Sequence, residues 1–304
     1  MNQHLTGLIA APFTPMYADG SVDLSRVGQY AASLAANGVR GTFVNGSTGE
    51  SMSLTIQERE LAAEKWVDVA PDALAVIVHV GHTTLADCRR MAAHAQEIGA
   101  YAIAAMPPFF FKPATLEDLV AFCAETAAAA SKLPFYYYHI PTMTGVNFAM
   151  VDFLKTAAGR IPTLAGIKFT YENLMDFGQC VRFDGGRFNL LFGRDEILLS
   201  GMIAGAKGAV GSTYSFAAPL YQRIIAAYNA GDLATAQRDQ ARATDFITIM
   251  IRYGGLPAFK AIMGMIGLEC GPSRLPMRTL SKERAAQLHA ELETMGFFDY
   301  ASKA

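Results

Sequence analysis

Eight short apolar segments alternate with longer amphipathic segments along the first two thirds of this 304-residue chain. Apolar runs of this length, bounded by turn residues, are typical of buried strands, and the amphipathic segments between them are typical of helices. Strands that alternate with helices favour a parallel sheet. Eight units without an internal linker predict an α/β protein with a (β/α)8 barrel, the TIM barrel. The predicted strands are residues 7–12, 41–44, 74–80, 101–106, 134–139, 164–169, 188–192 and 208–211.

The helix starts support this order of elements. Thr55 with Glu58, and Thr115 with Asp118, match the capping-box pattern in which two side chains satisfy the free N–H groups of a helix start. A third helix is predicted to open at Asp23. A doubly wound nucleotide-binding sheet would need a glycine-rich turn after its first strand, and the sequence APFTPMYADG there excludes it.

Only helical patterns follow residue 230. We therefore expect two parts: a catalytic barrel over residues 1–230, and a helical extension over residues 231–304 that packs on the barrel.

Charge and composition exclude several partner classes. Lys and Arg total 25 against 27 Asp and Glu, so no basic field is available for a nucleic acid. No apolar run approaches the ~18 residues of a membrane span, and the start of the chain lacks the features of a secretory signal. The cysteines lie far apart and form no CxxC pair, which favours reduced thiols in the cytoplasm; they are Cys88, Cys123, Cys180 and Cys270.

In such a barrel, chemistry gathers at the carboxyl ends of the strands. Lys168 lies next to the end of the sixth predicted strand, where burial would disfavour its charged form. A neutral amine there can attack a ketone and form an imine. A lysine that extends to solvent or pairs with a carboxylate is the alternative. Tyr138 closes the aromatic run of the fifth strand, and alternation places Tyr136 and Tyr138 on one face and Tyr137 on the other.

Two loops at the same end carry ligand-binding patterns. Ser47 and Thr48 lie between glycines, where backbone N–H groups can form a nest for an anion such as a carboxylate. Asp195 and Glu196 follow the seventh strand and would suit a polyhydroxylated ligand, although acidic residues are also common at helix starts. His79 and His82 raise a metal alternative, but their spacing fits no standard ligand set, and we expect no metal.

Together, the stretches GSTGE, YHIPTMTG and GIKFT resemble the Schiff-base pyruvate aldolases of the dihydrodipicolinate synthase and N-acetylneuraminate lyase superfamily. The resemblance covers residues 5 to about 270 and implies a class I aldolase without a cofactor. Lys168 would form the imine with pyruvate, and Tyr138 would transfer protons. Ser47 and Thr48 would hold the carboxylate of pyruvate.

The segment after the seventh strand looks like the sialic acid lyases within this superfamily. In these enzymes the positions matching Gly193, Asp195, Glu196 and Ser212 hold the hydroxyl-rich tail of the sugar, and Thr170 matches a further substrate contact. A dihydrodipicolinate synthase would carry an arginine at the position of Met143. In many members, a tyrosine in the loop after the fourth strand enters the active site of the neighbouring subunit and extends its proton relay. This chain has Phe110 at that position.

The resemblance implies reversible cleavage of N-acetylneuraminate to N-acetylmannosamine and pyruvate by a cytoplasmic homotetramer. The expected partners are small molecules, with no nucleic acid and no membrane. Three alternatives stay open: an aldolase acting on another 2-keto-3-deoxy sugar acid or resembling dihydrodipicolinate synthase, a non-catalytic barrel that binds a keto acid, and a metal-dependent hydrolase.

Overall fold

Eight parallel strands close into a barrel in sequence order, with β1 paired to β8, in a computed structural model that describes residues 4–304. Every predicted strand is present, and the predicted bounds of the second, sixth and eighth strands are correct. The strands are β1 (Gly7–Ala10), β2 (Gly41–Val44), β3 (Ala75–His79), β4 (Ala102–Ala105), β5 (Phe135–His139), β6 (Leu164–Phe169), β7 (Asn189–Phe192) and β8 (Gly208–Gly211).

The interior of the barrel is filled by alternate side chains of the strands. Tyr136 and Tyr138 point inward, whereas Tyr137 points outward and stacks on Phe153. The predicted alternation is therefore confirmed. The other inward residues are mostly apolar, so a polar group that enters this interior loses its contact with water; they include Ile9, Phe43, Ile77, Ala102, Ala104, Leu191 and Val210.

Twelve α-helices surround and extend the barrel within residues 4–304. Both predicted capping boxes are present at the starts of α2 and α4. Asp23 caps a 3-10 turn, Leu24–Arg26, that leads into the first α-helix, so that helix begins later than predicted. The helices are α1 (Val27–Ala36), α2 (Ile56–Val69), α3 (Leu85–Glu97), α4 (Leu116–Ala128), α5 (Pro141–Thr144), α6 (Met150–Ala157), α7 (Leu174–Arg182), α8 (Leu198–Ile203), α9 (Tyr214–Asn229), α10 (Leu233–Arg252), α11 (Leu256–Met265) and α12 (Lys282–Thr294).

Helices α10 to α12 form the C-terminal part of the chain. The predicted boundary at residue 230 lies between α9 and α10, and the first three residues of the predicted barrel domain lie outside the described residues. Phe216 of α9 contacts three rings from the segment after residue 230: Phe246, Phe259 and Phe297. The extension therefore shares one continuous apolar core with the outer layer of the barrel.

A helix that crosses a bilayer needs about 20 mostly apolar residues. None of the described helices alone is both long enough and apolar enough to cross a membrane. Only α10 and α11 taken together, as a pair bent by 111°, reach those limits.

Candidate active site

Lys168 lies near the carboxyl end of β6, in register with Tyr138 on one side and Leu191 on the other. Its side chain enters the barrel, and the residue is only 4% exposed. The Nζ atom is 3.8 Å from the centroid of the Phe43 ring and 4.0 Å from that of Tyr138. Burial lowers the pKa of Lys168 to about 7, while the negative charge of Asp195 acts in the opposite direction. A substantial fraction of this amine is therefore neutral at physiological pH.

Tyr138 connects this amine to the loop after β2. Its hydroxyl group lies 3.3 Å from the hydroxyl of Ser47. Burial raises the pKa of Tyr138 to about 12, and the hydrogen bond with Ser47 lowers it in part. The phenol is therefore protonated in the free site, and a positive charge formed on Lys168 would favour its ionisation.

The loop after β2 folds into a tight turn between Ser47 and Glu50. The Glu50 amide donates to the Ser47 carbonyl over 3.1 Å, and the Thr14 hydroxyl donates to the Gly49 carbonyl over 2.7 Å. Thr48 Oγ1 lies 2.6 Å from the hydroxyl of Ser212 in the loop after β8. The turn thereby brings Ser47, Thr48 and Ser212 to the same end of the barrel as Lys168.

Asp195 follows β7 and is almost completely buried. Its Oδ2 atom accepts hydrogen bonds from the amide of Thr213 at 3.0 Å and from its hydroxyl at 2.6 Å. Burial raises the pKa of Asp195 to about 7, and the neighbouring charge of Glu196 raises it further. The carboxylate passes so close to Gly211 that any side chain there would collide with it. Asp195 therefore also ties the loop after β7 to the loop after β8.

The remaining residues of the predicted tail site lie around the loop after β7. A Cβ atom at Gly193 would collide with the hydroxyl of Thr170, so the loops after β6 and β7 approach closely there. Thr170 Oγ1 is buried and has no hydrogen-bond partner among the described residues. Glu196 is more than one third exposed and pairs with Arg194 at 3.3 Å.

Sequence reasoning missed two side chains at this end of the barrel. Phe43 forms the apolar wall beside Lys168, and the alternation of β2 could have identified it as inward-facing. Arg194 bridges the carboxylates of Glu172 and Glu196, across the loops after β6 and β7. No sequence pattern signalled the pair of Arg194 with Glu172, because these two residues lie on different loops.

The two histidines considered as metal ligands have separate environments. His79 lies inside the barrel, where burial lowers its pKa well below the usual value, and its Nδ1 donates to the carbonyl of Asn45 over 2.8 Å. His82 lies on the following loop near Asp87. From residue 4 onward, no group of three or more His, Cys, Asp and Glu side chains is close enough to hold a metal ion.

Phe110 and Met143, the two positions at which the sequence departs from patterns of the superfamily it resembles, are exposed. Phe110 is 75% exposed and packs edge to face on Phe111, at 5.0 Å between ring centroids. Met143 is 70% exposed on α5 and provides no charge for a second substrate carboxylate.

An amine that is partly neutral near pH 7, at the carboxyl ends of barrel strands, can condense with a ketone, which is the chemistry of class I aldolases. Residues 4–295 match the model of the Dihydrodipicolinate synthetase family. The chain belongs to this family and is a carbon–carbon lyase.

The relatives point to one branch of the family. N-acetylneuraminate lyase from Mus musculus is 43% identical over 303 residues, which cover 98% of this chain and 95% of the relative. The solved structure of N-acetylneuraminate lyase from Proteus mirabilis has a TM-score of 0.94 at 39% identity, covering 97% of this chain and all of that one. The N-acetylneuraminate lyase from Aliivibrio salmonicida has a TM-score of 0.95 at 38% identity, covering 97% of this chain and 98% of that one. The predicted barrel and the predicted family are both confirmed.

Proposed function

We propose that this protein cleaves N-acetylneuraminate reversibly into N-acetylmannosamine and pyruvate through an imine on Lys168. The observation that carries the proposal is the position of the Lys168 amine, buried against the Tyr138 ring, with Ser47, Thr48 and Ser212 at the same end of the barrel. The activity of the relatives named above supports the choice of substrate.

The reaction begins at the keto carbon of the open-chain sugar. Neutral Lys168 attacks this carbon, and loss of water leaves a protonated imine. The imine nitrogen draws electrons from the C3–C4 bond as that bond breaks. No metal or organic cofactor takes part in this proposal, because the imine itself is the electron acceptor.

Tyr138 removes the proton from the C4 hydroxyl during this step. Its ring lies 4.0 Å from the nitrogen that becomes cationic, and this charge lowers the pKa of the phenol when the imine forms. N-acetylmannosamine leaves as the aldehyde, and an enamine of pyruvate stays on Lys168. Protonation of C3 and hydrolysis then release pyruvate and the free amine.

Ser47 extends the proton path in place of a tyrosine from another subunit. Its hydroxyl is 3.3 Å from that of Tyr138 and adjoins Thr48, with which it would hold the substrate carboxylate. A proton can pass from Tyr138 through Ser47 to that carboxylate. Phe110 has no ionisable group and takes no part in the path.

The tail of the sugar would lie across the loops after β6, β7 and β8, against Thr170, Gly193, Asp195, Glu196 and Ser212. Both hydrogen bonds from Thr213 fall on Oδ2 of Asp195, so Oδ1 is the oxygen that can accept from a sugar hydroxyl. Thr170, whose buried hydroxyl lies against Gly193, is a further residue for this tail.

The assembly and the cellular location are part of the same proposal. Family resemblance supports a homotetramer, which light scattering after size-exclusion chromatography would measure. The four free, buried cysteines fit a reducing compartment such as the cytoplasm.

Trapping of the imine tests the central step. The protein is incubated with pyruvate and borohydride, digested, and mapped by mass spectrometry. We expect a stable adduct on Lys168 and none on Lys207, which lies at the opposite end of the barrel. A protein that cleaves N-acetylneuraminate without any adduct on Lys168 would contradict the proposed mechanism.

A further inference from the structure

A buried ion pair joins the C-terminal extension to the turn that carries Ser47 and Thr48. Lys260 of α11 lies 2.8 Å from Glu50, the last residue of the turn, and neither side chain is more than 1% exposed. The two partners are 210 positions apart in sequence. A buried charge that loses its partner is strongly unfavourable, so each side chain constrains the other.

The carboxylate of Glu50 is held on both oxygens. Oε1 accepts from the Lys260 ammonium, which also donates to the Pro272 carbonyl over 2.6 Å. Oε2 accepts from the backbone amide of Arg274 over 2.8 Å. The side chain of Arg274 in turn pairs with Glu58 at the start of α2. The turn is therefore attached to the extension at several points.

The backbone of Glu50 needs this support. Its φ angle of 57° and ψ angle of 29° lie in the left-handed region, which a residue with a side chain adopts at a cost. Its amide closes the turn by donating to the Ser47 carbonyl. A loss of the Glu50 side-chain contacts would release this conformation and displace the hydroxyl groups of Ser47 and Thr48.

We propose that Lys260 is a positioning residue for catalysis, acting through Glu50 to hold the Ser47–Glu50 turn in the conformation that binds the carboxylate of pyruvate. This inference rests on the proposed function, because it assumes that Ser47 and Thr48 bind that carboxylate. It gives the C-terminal extension a role in the chemistry besides its packing on the outer layer.

The test measures how much pyruvate is needed for half-maximal imine formation on Lys168, by borohydride trapping. We expect Lys260→Met to raise this concentration about tenfold, since displacement of a binding group by about 1 Å is costly. The yield at saturating pyruvate should stay unchanged, because Lys168 and Tyr138 are intact. In steady state, the KM for pyruvate should rise more than kcat falls.

A second variant separates the loss of the ion pair from any misfolding caused by an unpaired buried charge. The double variant Glu50→Gln with Lys260→Met removes the link without leaving an unpaired buried charge, so it should fold as the parent does. It should still need about ten times more pyruvate, because the buried ion pair no longer fixes the turn.

Leu292→Ala is the matched control. This residue is buried in α12 of the same extension and makes none of the bonds of the ion-pair network. The substitution should lower Tm, since it leaves a cavity, without changing the pyruvate requirement. An unchanged requirement in both Lys260 variants, or an equal rise in Leu292→Ala at the same loss of Tm, would overturn the inference. Failure to trap any imine in the unsubstituted protein would instead overturn the proposed function.

Discussion

The two halves of the candidate site are held by different kinds of interaction. The half around Lys168 and Tyr138 is buried and bounded by rings and neutral hydroxyl groups. The half after β7 is more open and holds an ion-pair chain formed by Glu172, Arg194 and Glu196. Burial changes the pKa of a reacting group, whereas exposed charges are screened and easily rearranged. The first half therefore suits bond making, and the second suits recognition of a polar tail.

If this division is correct, substitutions in the first half will change the chemistry with any substrate. Substitution of the partly exposed Glu196 in the second half will change only the affinity for the sugar. The following predictions test that distinction, beginning with the largest expected effect.

Replacement of the amine should have the largest effect. Lys168→Met should abolish imine trapping and lower the rate of N-acetylneuraminate cleavage at least ~10⁴-fold, because no other nucleophile forms the electron sink. Lys207→Met, at the opposite end of the barrel, is the control and should retain the parent rate. Mass spectrometry after borohydride and a coupled pyruvate assay measure the two outcomes. Substantial cleavage by Lys168→Met would show that the half of the site around Lys168 does not carry the chemistry.

Loss of one hydroxyl should separate imine formation from bond cleavage. Tyr138→Phe keeps the ring beside Lys168 but removes the proton acceptor, so cleavage should fall about 10²- to 10⁴-fold while the imine still forms. Tyr137→Phe is a close control, because its side chain faces outward and its hydroxyl has no partner in the described structure. Equal losses in the two variants would argue against proton transfer by Tyr138.

The pH dependence of imine formation should follow the lowered pKa of Lys168, about 7. Only the neutral amine attacks, and its fraction decreases as the pH falls through the pKa, so the rate at pH 6 should be about a tenth of the plateau rate. Asp195→Asn removes a negative charge that raises this pKa, so the midpoint should move to lower pH. Stopped-flow trapping with pyruvate measures both profiles. A midpoint near 10.5 would show that burial does not neutralise the amine.

The smallest effect is expected in the more exposed half. Glu196→Gln should raise the KM for N-acetylneuraminate about fivefold, which corresponds to the loss of about 1 kcal/mol from one hydrogen bond. The pyruvate requirement for imine formation should not change. Glu125→Gln, which removes an exposed carboxylate paired with Arg89 on the outer layer, is the control. If Glu196→Gln also raised the pyruvate requirement about fivefold, the two halves of the site would not have separate functions.

Much of the fold could be predicted because strand and helix signals are local. The runs that became β2, β6 and β8 were identified with their observed bounds, and the boxes at Thr55 and Thr115 correctly marked helix starts. The start of α1 was predicted too early, because the same Asp23 cap fits a 3-10 turn. Local patterns therefore identify an element more reliably than its first turn.

Only part of the candidate site could be recognised in this way. Lys168 and Tyr138 were recognisable because a polar group at the end of an apolar strand is unusual. Asp195 was identified as a ligand for hydroxyl groups, but its bonds to Thr213 depend on two loops meeting in space. Lys260 and Glu50 lie even farther apart in the sequence, and no motif connects them.

The order of polar and apolar residues by itself determined a parallel (β/α)8 barrel and the end of the barrel at which chemistry is possible. It did so because strand alternation and helix capping act between residues a few positions apart. The tertiary structure alone decided how far Lys168 is desolvated, and which charges compensate one another across 210 positions. Desolvation and ion pairing depend on the complete packed surroundings of a group, and chain closure brings those surroundings together.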